Sequence, residues 1–343
     1  MLNRIYFAHH ALGFAPMGTT SFTQVHGAQD GGLSTNFELT DINEIGQLSS
    51  YESVEDVPQV EITLEKVLDG YPLLYHLATP GATTDSLAGR GNQQSIFAMS
   101  VFDDDQDSAS GTPVVQFTSS GVYCDSLRYE FPSEGPMKES VTLRGDHGVW
   151  TTSGFTFTGT LFDDTDEPLA LTSGLGGVQF KENLKFVPNL NGDYTILPHG
   201  LGGIPGISSS GTNDVVADVF GAHISQITVS CDLNREDIKE LGRRKYYFRS
   251  ITFPVDVTTE ITVTSTAGNQ IDALPDGVIS GQNVFNQQIV VVTEDSTKID
   301  LGYKNKLTSV TWGGAGAGGG NAVDTYSYRN KNTMVVSQDM NPG

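Results

Sequence analysis

Apolar and polar residues alternate with a period of two along much of the chain, the spacing of a half-buried strand. Val60–Leu68 reads Val-Glu-Ile-Thr-Leu-Glu-Lys-Val-Leu, and Val257–Thr264 is rich in β-branched residues. The same signal marks Ser95–Val101, Pro113–Thr118, Leu127–Phe131, Ser140–Arg144, Trp150–Gly159, Ile224–Cys231, Gln287–Thr293, Lys306–Trp312 and Thr325–Arg329. Clusters of Gly, Asn, Asp and Pro separate these runs. Long helical periodicity is absent, so the expected class is mainly β. Two short helices are expected near Asp41–Leu48 and Arg235–Leu241, the second capped by Asn234 and stopped by Gly242.

An internal repeat organises the pattern. Asp41-Ile-Asn-Glu-Ile-Gly46 matches Asp237-Ile-Lys-Glu-Leu-Gly242, 196 residues further on. The same offset joins Tyr51 to Tyr247 and Pro58 to Pro254, and a β-rich run follows each proline. Ser126-Leu-Arg-Tyr129 and Ser309-Val-Thr-Trp312 each lead through a turn into another strand-like run, as two long hairpins. This order predicts two similar β domains, each with a short flanking helix, at residues 31–160 and 213–343. Residues 161–212 read as a Gly/Pro-rich connector or insertion, and residues 1–30 as an N-terminal arm that orders on a partner.

Composition narrows the function. With 37% hydrophobic residues and no apolar run near ~20 residues, the chain is expected to bury a core and not to insert in a membrane. The start of the sequence lacks a secretory pattern, and Cys124 and Cys231 are too few for a disulfide framework. Both lie in strand-like runs and are expected as buried free thiols, which fits synthesis in a reducing cytosol. The net charge of −22 repels nucleic acid and excludes a conventional DNA-binding protein. It is compatible with a protein that lets DNA pass without holding it.

Candidate chemistry is sparse. Gly313–Asn321 lacks the Lys-Ser/Thr of a phosphate loop. The acidic clusters Asp103–Asp107 and Asp163–Glu167 do not follow the EF-hand pattern, since Ser108 and Val114 stand where Gly and Glu are needed after Asp103. His9, His10, His26, His76, His147, His199 and His223 are scattered without metal-ligand spacing, and there is no nucleophile elbow or His-Glu-x-x-His. Arg144-Gly-Asp146 is read as an accidental tripeptide. The expectation is a non-enzymatic protein with no catalytic residues, no cofactor-binding residues, no metal site and no cofactor.

Glu236-Asp-Ile-Lys-Glu-Leu-Gly-Arg-Arg-Lys-Tyr-Tyr-Phe-Arg249 with Phe253-Pro-Val-Asp-Val-Thr258 resembles tail tube proteins of tailed bacteriophages. So do Leu197-Pro…Ile204-Pro-Gly-Ile207 and Tyr129-Glu-Phe-Pro…Glu139-Ser-Val-Thr-Leu143. The resemblance spans roughly residues 35–340 and is of the duplicated type. It implies two tail-tube-like β-barrel or sandwich domains. It implies a structural virion protein, assembled in the host cytoplasm and located in the tail. It implies self-assembly as stacked rings, of three chains with pseudo-six-fold symmetry. Its partners would be the tape measure protein and other tail proteins, with double-stranded DNA passing through an acidic channel during ejection. The strands Glu139–Asp146 and Val323–Asn330, with Glu139 and Asp324, are the candidate channel lining. Two other readings stay open. One is another virion β-protein of baseplate, tail-terminator or decoration type. The other is a β-sandwich enzyme or carbohydrate-binding module, although Trp150 and Trp312 lie far apart in sequence.

Overall fold

A computed structural model describes residues 5, 7–103, 112–158, 177–185, 195, 197, 223–242, 245–264, 288–313 and 321–338. The chain opens with β1 (His10–Pro16), β2 (Thr23–Gln24), β3 (Ala28–Asn36), β4 (Leu39–Asn43), β5 (Ser50–Glu55) and β6 (Gln59–Val67). Two short helices follow, α1 (Leu74–Ala78) and α2 (Leu87–Arg90), then β7 (Ser95–Val101), β8 (Val115–Pro132), β9 (Lys138–Gly145) and β10 (Gly148–Thr151). The remainder comprises β11 (His223–Asp232), β12 (Arg235–Ile238), β13 (Phe248–Ile251), β14 (Asp256–Thr264), β15 (Val290–Val292), β16 (Thr297–Asp300), β17 (Lys306–Gly313), β18 (Val323–Lys331) and β19 (Val335–Gln338). The fold is mainly β, as the alternation predicts.

Eight strands form one antiparallel sheet in the order β3-β6-β9-β8-β11-β14-β18-β17. The long strand β8 belongs to two sheets. Its first part pairs with β7 and β10, and its second part with β9 and β11. The passage occurs at Gly121, which sits at φ +72° where the β7–β8 register shifts. His10–Pro16, in the stretch read as an arm, pairs along β7 as β1.

The alternation sets the faces of the large sheet. Val60, Ile62 and Leu64 of β6, Val141 and Leu143 of β9, and Leu127, Tyr129 and Phe131 of β8 point into one core. Ile227, Val229 and Cys231 of β11, Val257, Ile261 and Val263 of β14, and Tyr326 and Tyr328 of β18 continue it. Burying each such side chain contributes about 1.5–3 kcal/mol. The other face carries Glu61, Thr63, Ser140, Thr142, Arg128, Ser230, Thr258, Glu260, Thr325 and Ser327, partly or fully exposed.

The sequence-predicted helices at 41–48 and 235–241 are β hairpins instead, β4–β5 and β12–β13. Seven or eight residues are too few for a helix to persist unless one face is buried. Ile45 and Leu48 are 104% and 111% exposed, so no such face exists. Gly46 and Gly242, read as helix stops, take φ +98° and +87° in the connections between the paired strands. Among the described residues the α-helices, α1 and α2, lie elsewhere.

The large sheet consists of two runs of four strands with the same order and register. In the first, β3 pairs β6, β6 pairs β9, and β9 pairs β8; in the second, β11 pairs β14, β14 pairs β18, and β18 pairs β17. Gly31↔Leu64 corresponds to Ile227↔Ile261, Val60↔Gly145 to Val257↔Asn330, and Tyr129↔Glu139 to Trp312↔Asp324. The irregularities coincide as well. The register shifts between Ala28 and Asp30 and between Ile224 and Gln226, then between Cys124 and Ser126 and between Leu307 and Ser309. Asp41↔Ser53 in one hairpin likewise corresponds to Asp237↔Arg249 in the other.

Candidate assembly surface

The two four-strand runs meet at a β8–β11 joint. Val229 pairs Tyr129, Ser230 pairs Arg128 and Cys231 pairs Leu127. Val229 and Tyr129 are both fully buried there. Among the described residues, the strands equivalent to these two have no partner on their outer side: β3 pairs only β6, and β17 pairs only β18. An unpaired strand edge presents a row of backbone donors and acceptors to any matching strand. Leu33, the counterpart of Val229, packs partly against the core, and Trp312, the counterpart of Tyr129, is 52% exposed.

The equivalent hairpins differ in the same sense. β12–β13 packs on the first run of strands. Phe248 meets the Tyr123 ring edge-on at 5.9 Å, and Arg235 Nε donates to the Cys124 carbonyl at 2.6 Å. Arg249 is buried and its Nη2 lies 2.6 Å from Asp146 Oδ1. Every residue of β4 and β5 is exposed, and Phe37, Leu39, Ile42, Tyr51 and Val54 add apolar surface. Ile42 and Val54 lie on one face of this ribbon and Leu39 and Tyr51 on the other, so both faces offer apolar surface to a partner.

Glu139 and Asp324 do not face the polar side. Both are buried in the core, in correction of their reading as channel lining. The two strands alternate as expected, but the facing is opposite, with Ser140, Thr142, Thr325 and Ser327 outward. Glu139 takes over the capping of α1, whose residue at the N-cap position, Leu73, has no side-chain acceptor. Its carboxylate accepts from the Leu74 and Tyr75 amides at 2.6 and 3.1 Å and from the Tyr129 hydroxyl at 2.8 Å. Burial raises the Glu139 pKa, and the Tyr75 amide, Lys66, Tyr129 and the Leu74 amide oppose the rise.

On the polar face, carboxylates and cations are interleaved. Lys138 pairs Glu65 at 2.7 Å, Arg128 pairs Glu130 at 2.6 Å, and Arg144 pairs Asp125 at 3.0 Å. Asp256 is held by both Arg329 and Lys331. These two hold its carboxyl down to about 2. This face is therefore rich in Ser, Thr and paired charge. Cations already engaged by carboxylates have little left to offer a phosphate.

Other sequence-singled residues are dispersed. Cys124 and Cys231 are buried free thiols whose pKa values burial pushes up, that of Cys231 to about 12. His26 Nδ1 lies 3.0 Å from Asp69, His76 Nε2 lies 2.9 Å from the Val336 carbonyl, and His9 is buried beside β1. Of the acidic clusters only Asp103 is described; Asp104–Asp107 and Asp163–Glu167 lie outside the described residues. So do 314–320 of the Gly-rich run and most of 161–212. Among the described residues, no three His, Cys, Asp or Glu side chains group to hold a metal, and no helix is long and apolar enough to cross a membrane.

No protein-family model and no curated protein matches the chain. Among solved structures it is similar to one from the anti-feeding prophage baseplate, at 12% identity and TM-score 0.33 over 44% of this chain and 97% of that one. It is also similar to one from the sheath–tube complex of an extracellular contractile injection system, at 14% identity and TM-score 0.30 over 44% and 93%. A third is the SPP1 tail tube, at 11% identity and TM-score 0.34 over 45% and 82%.

Proposed function

We propose that this protein is a structural virion component, a tail tube subunit that assembles as stacked rings around a channel for DNA. The observation that carries this reading is the pair of register-matched four-strand runs joined into one sheet, with both outer edges open among the described residues. A chain built this way offers the same surface twice, so three chains present six alike units and close as a pseudo-six-fold ring. The sequence resemblance to tail tube proteins points the same way. The core face of the sheet turns to the body of each subunit and the Ser/Thr-rich, charge-paired face turns to the channel. There the absence of a strong cationic grip lets DNA slide, with the tape measure protein and other tail proteins as further partners. Phe253–Thr258 and Tyr129–Leu143, which carry part of that resemblance, lie at and within the strands of this sheet.

Negative-stain imaging of the purified protein at high concentration tests the proposal. Hollow tubes with three-fold rings are expected. Isolated rings that never stack would favour a baseplate, terminator or decoration component instead, and rings of six chains would overturn the three-chain assembly.

A further inference from the structure

The joint between the two strand runs is a template for the contact between copies. We infer that β17 of one chain pairs antiparallel with β3 of the next in the register of the β8–β11 joint, and that the neighbour's β4–β5 hairpin seats beside it as β12–β13 seats on the first run. The inference deepens the tube proposal and rests on it only for the stacking of rings.

The register follows residue by residue. Tyr129 corresponds to Trp312 through their shared places opposite Glu139 and Asp324, and Val229 corresponds to Leu33 through Ile227 and Gly31. The pair Tyr129↔Val229 therefore becomes Trp312 against Leu33 of the next copy, and Arg128↔Ser230 becomes Thr311 against Ser34. Leu127↔Cys231 becomes Val310 against Thr35. Leu33, Val310 and the half-exposed Trp312 then continue the apolar face across the boundary, as the buried Val229, Leu127 and Tyr129 do inside the chain.

The hairpin supplies an independent observation. Within the chain, Phe248 packs on Tyr123 and Arg249 pairs with Asp146. Their counterparts in the exposed hairpin are Glu52 and Ser53, the latter bonded to Asp41 at 2.5 Å. The counterparts of Tyr123 and Asp146 are Lys306 and Lys331. An aromatic pair is thus replaced by Glu52 facing Lys306, and the Arg–Asp pair by the neutral Ser53 facing Lys331, which Asp256 already holds. Opposite signs at the Glu52–Lys306 position, and no like charges at the other, are what a chain-to-chain contact needs. A neighbour seated there also accounts for β4–β5 being bare in one chain while β12–β13 packs on the first run.

The test uses the full chain carrying both Ser34→Cys and Thr311→Cys, while the buried Cys124 and Cys231 stay out of reach. Mild oxidation is expected to link copies head to tail into a ladder that ends at a closed trimer on a non-reducing gel. A chain with Ser34→Cys and Ser309→Cys, two residues out of register, links at least tenfold less. Glu52→Lys and Lys306→Glu each weaken association about fivefold, and the double exchange restores it. Tubes that form while the in-register pair fails to link, or charge reversals without effect on association, overturn the inference and leave the tube proposal standing. A register-specific ladder from rings that never stack overturns the tube proposal and leaves the inference standing. A wild-type chain that stays monomeric at high concentration in sedimentation overturns both.

Discussion

Arg249 Nε lies 2.7 Å from Asp237 Oδ1 across the β12–β13 hairpin, at the position where Ser53 bonds to Asp41 in β4–β5. Arg249 also reaches Asp146 and lies over the Tyr246 ring at 4.8 Å, with its side chain 1% exposed. The N–H groups are aligned too obliquely for hydrogen bonds, so charge and shape hold this group together. Arg249→Met leaves Asp146 and Asp237 uncompensated and is expected to cost about 3 kcal/mol, the low end for breaking a buried ion pair because both carboxylates keep some water. Arg249→Lys restores little, since an ammonium lacks the fork that spans two carboxylates. Urea unfolding checks both variants, and an unchanged midpoint would refute the assignment.

Glu139 is structural, so its substitution should fail at folding. Glu139→Lys places a second ammonium opposite Lys66 in the buried β6–β9 pair and is expected to destabilise by more than ~4 kcal/mol. Glu139→Gln turns an amide group toward two backbone donors and is expected to cost about 1–3 kcal/mol. The raised Glu139 pKa fixes a pH trend. Between the unfolded and the folded pKa the native state holds the proton more tightly, so stability falls as pH rises through that window. Glu139→Gln lacks this slope, and unfolding measured from pH 4 upward should show it missing.

Asp256 gives the opposite sign. Arg329 and Lys331 lower its pKa from 3.8 to about 2, so its contribution is present above pH 3.8 and is lost as pH falls toward 2. The pair is exposed and its worth small. Asp256→Asn should remove that acid loss and leave stability at pH 7 almost unaltered. A variant whose acid unfolding curve overlays the wild type would contradict this.

The strands legible in the sequence are those with one wet and one dry face, as in β6, β9, β14 and β18. β3 escaped notice because Ala-Gln-Asp-Gly-Gly-Leu-Ser-Thr-Asn has a single large apolar residue, as an edge awaiting a partner can. The hairpin segments carried a helix-like Asp-Ile-x-Glu-Ile/Leu-Gly spacing, and only the absence of any surface to bury the apolar side decides for strands. The burial of Glu139 was misread because a carboxylate is expected in water. Its parity with Val141 and Leu143 puts it on the inner face, but a carboxylate is expected there only once the α1 amides that satisfy it are known. The repeat itself was readable from Asp41 and Asp237, whereas the matched bulges emerge only from pairing.

Gly121 lets β8 pass from one sheet to the other. A methyl group there meets nothing closer than Gln94 Oε1 at 3.8 Å, so the cost of a side chain lies in φ +72° alone. Gly121→Ala should cost about 1–2 kcal/mol, and Gly121→Asn less, because Asn tolerates left-handed backbone. Thermal unfolding of the two variants checks the order. Equal losses would mean that space, not conformation, is limiting.

Glu260 offers the cleanest test of the proposed channel face. It is exposed on the polar side of β14, between Thr228 of β11 and Ser327 of β18 in the registers of both pairs. Because it stands in solvent away from the core, Glu260→Lys should change stability by no more than about 0.5 kcal/mol. What it changes is the grip on DNA. Each ring gains cations with no carboxylate directly across the ladder to hold them, and each phosphate they reach releases counterions. The slope of log K against log salt should steepen by about 0.9 per contact. Purified tubes mixed with short linear duplex DNA, sedimented over a salt series, provide the measurement. Wild-type tubes are expected to retain little DNA even at low salt, and the variant to retain it strongly at 50 mM and weakly at 200 mM, the span over which ~6–10 phosphate contacts lose about 10³–10⁵ in affinity. Salt-sensitive retention by the wild type would show that the face grips phosphate already. An unchanged variant would place Glu260 away from the channel.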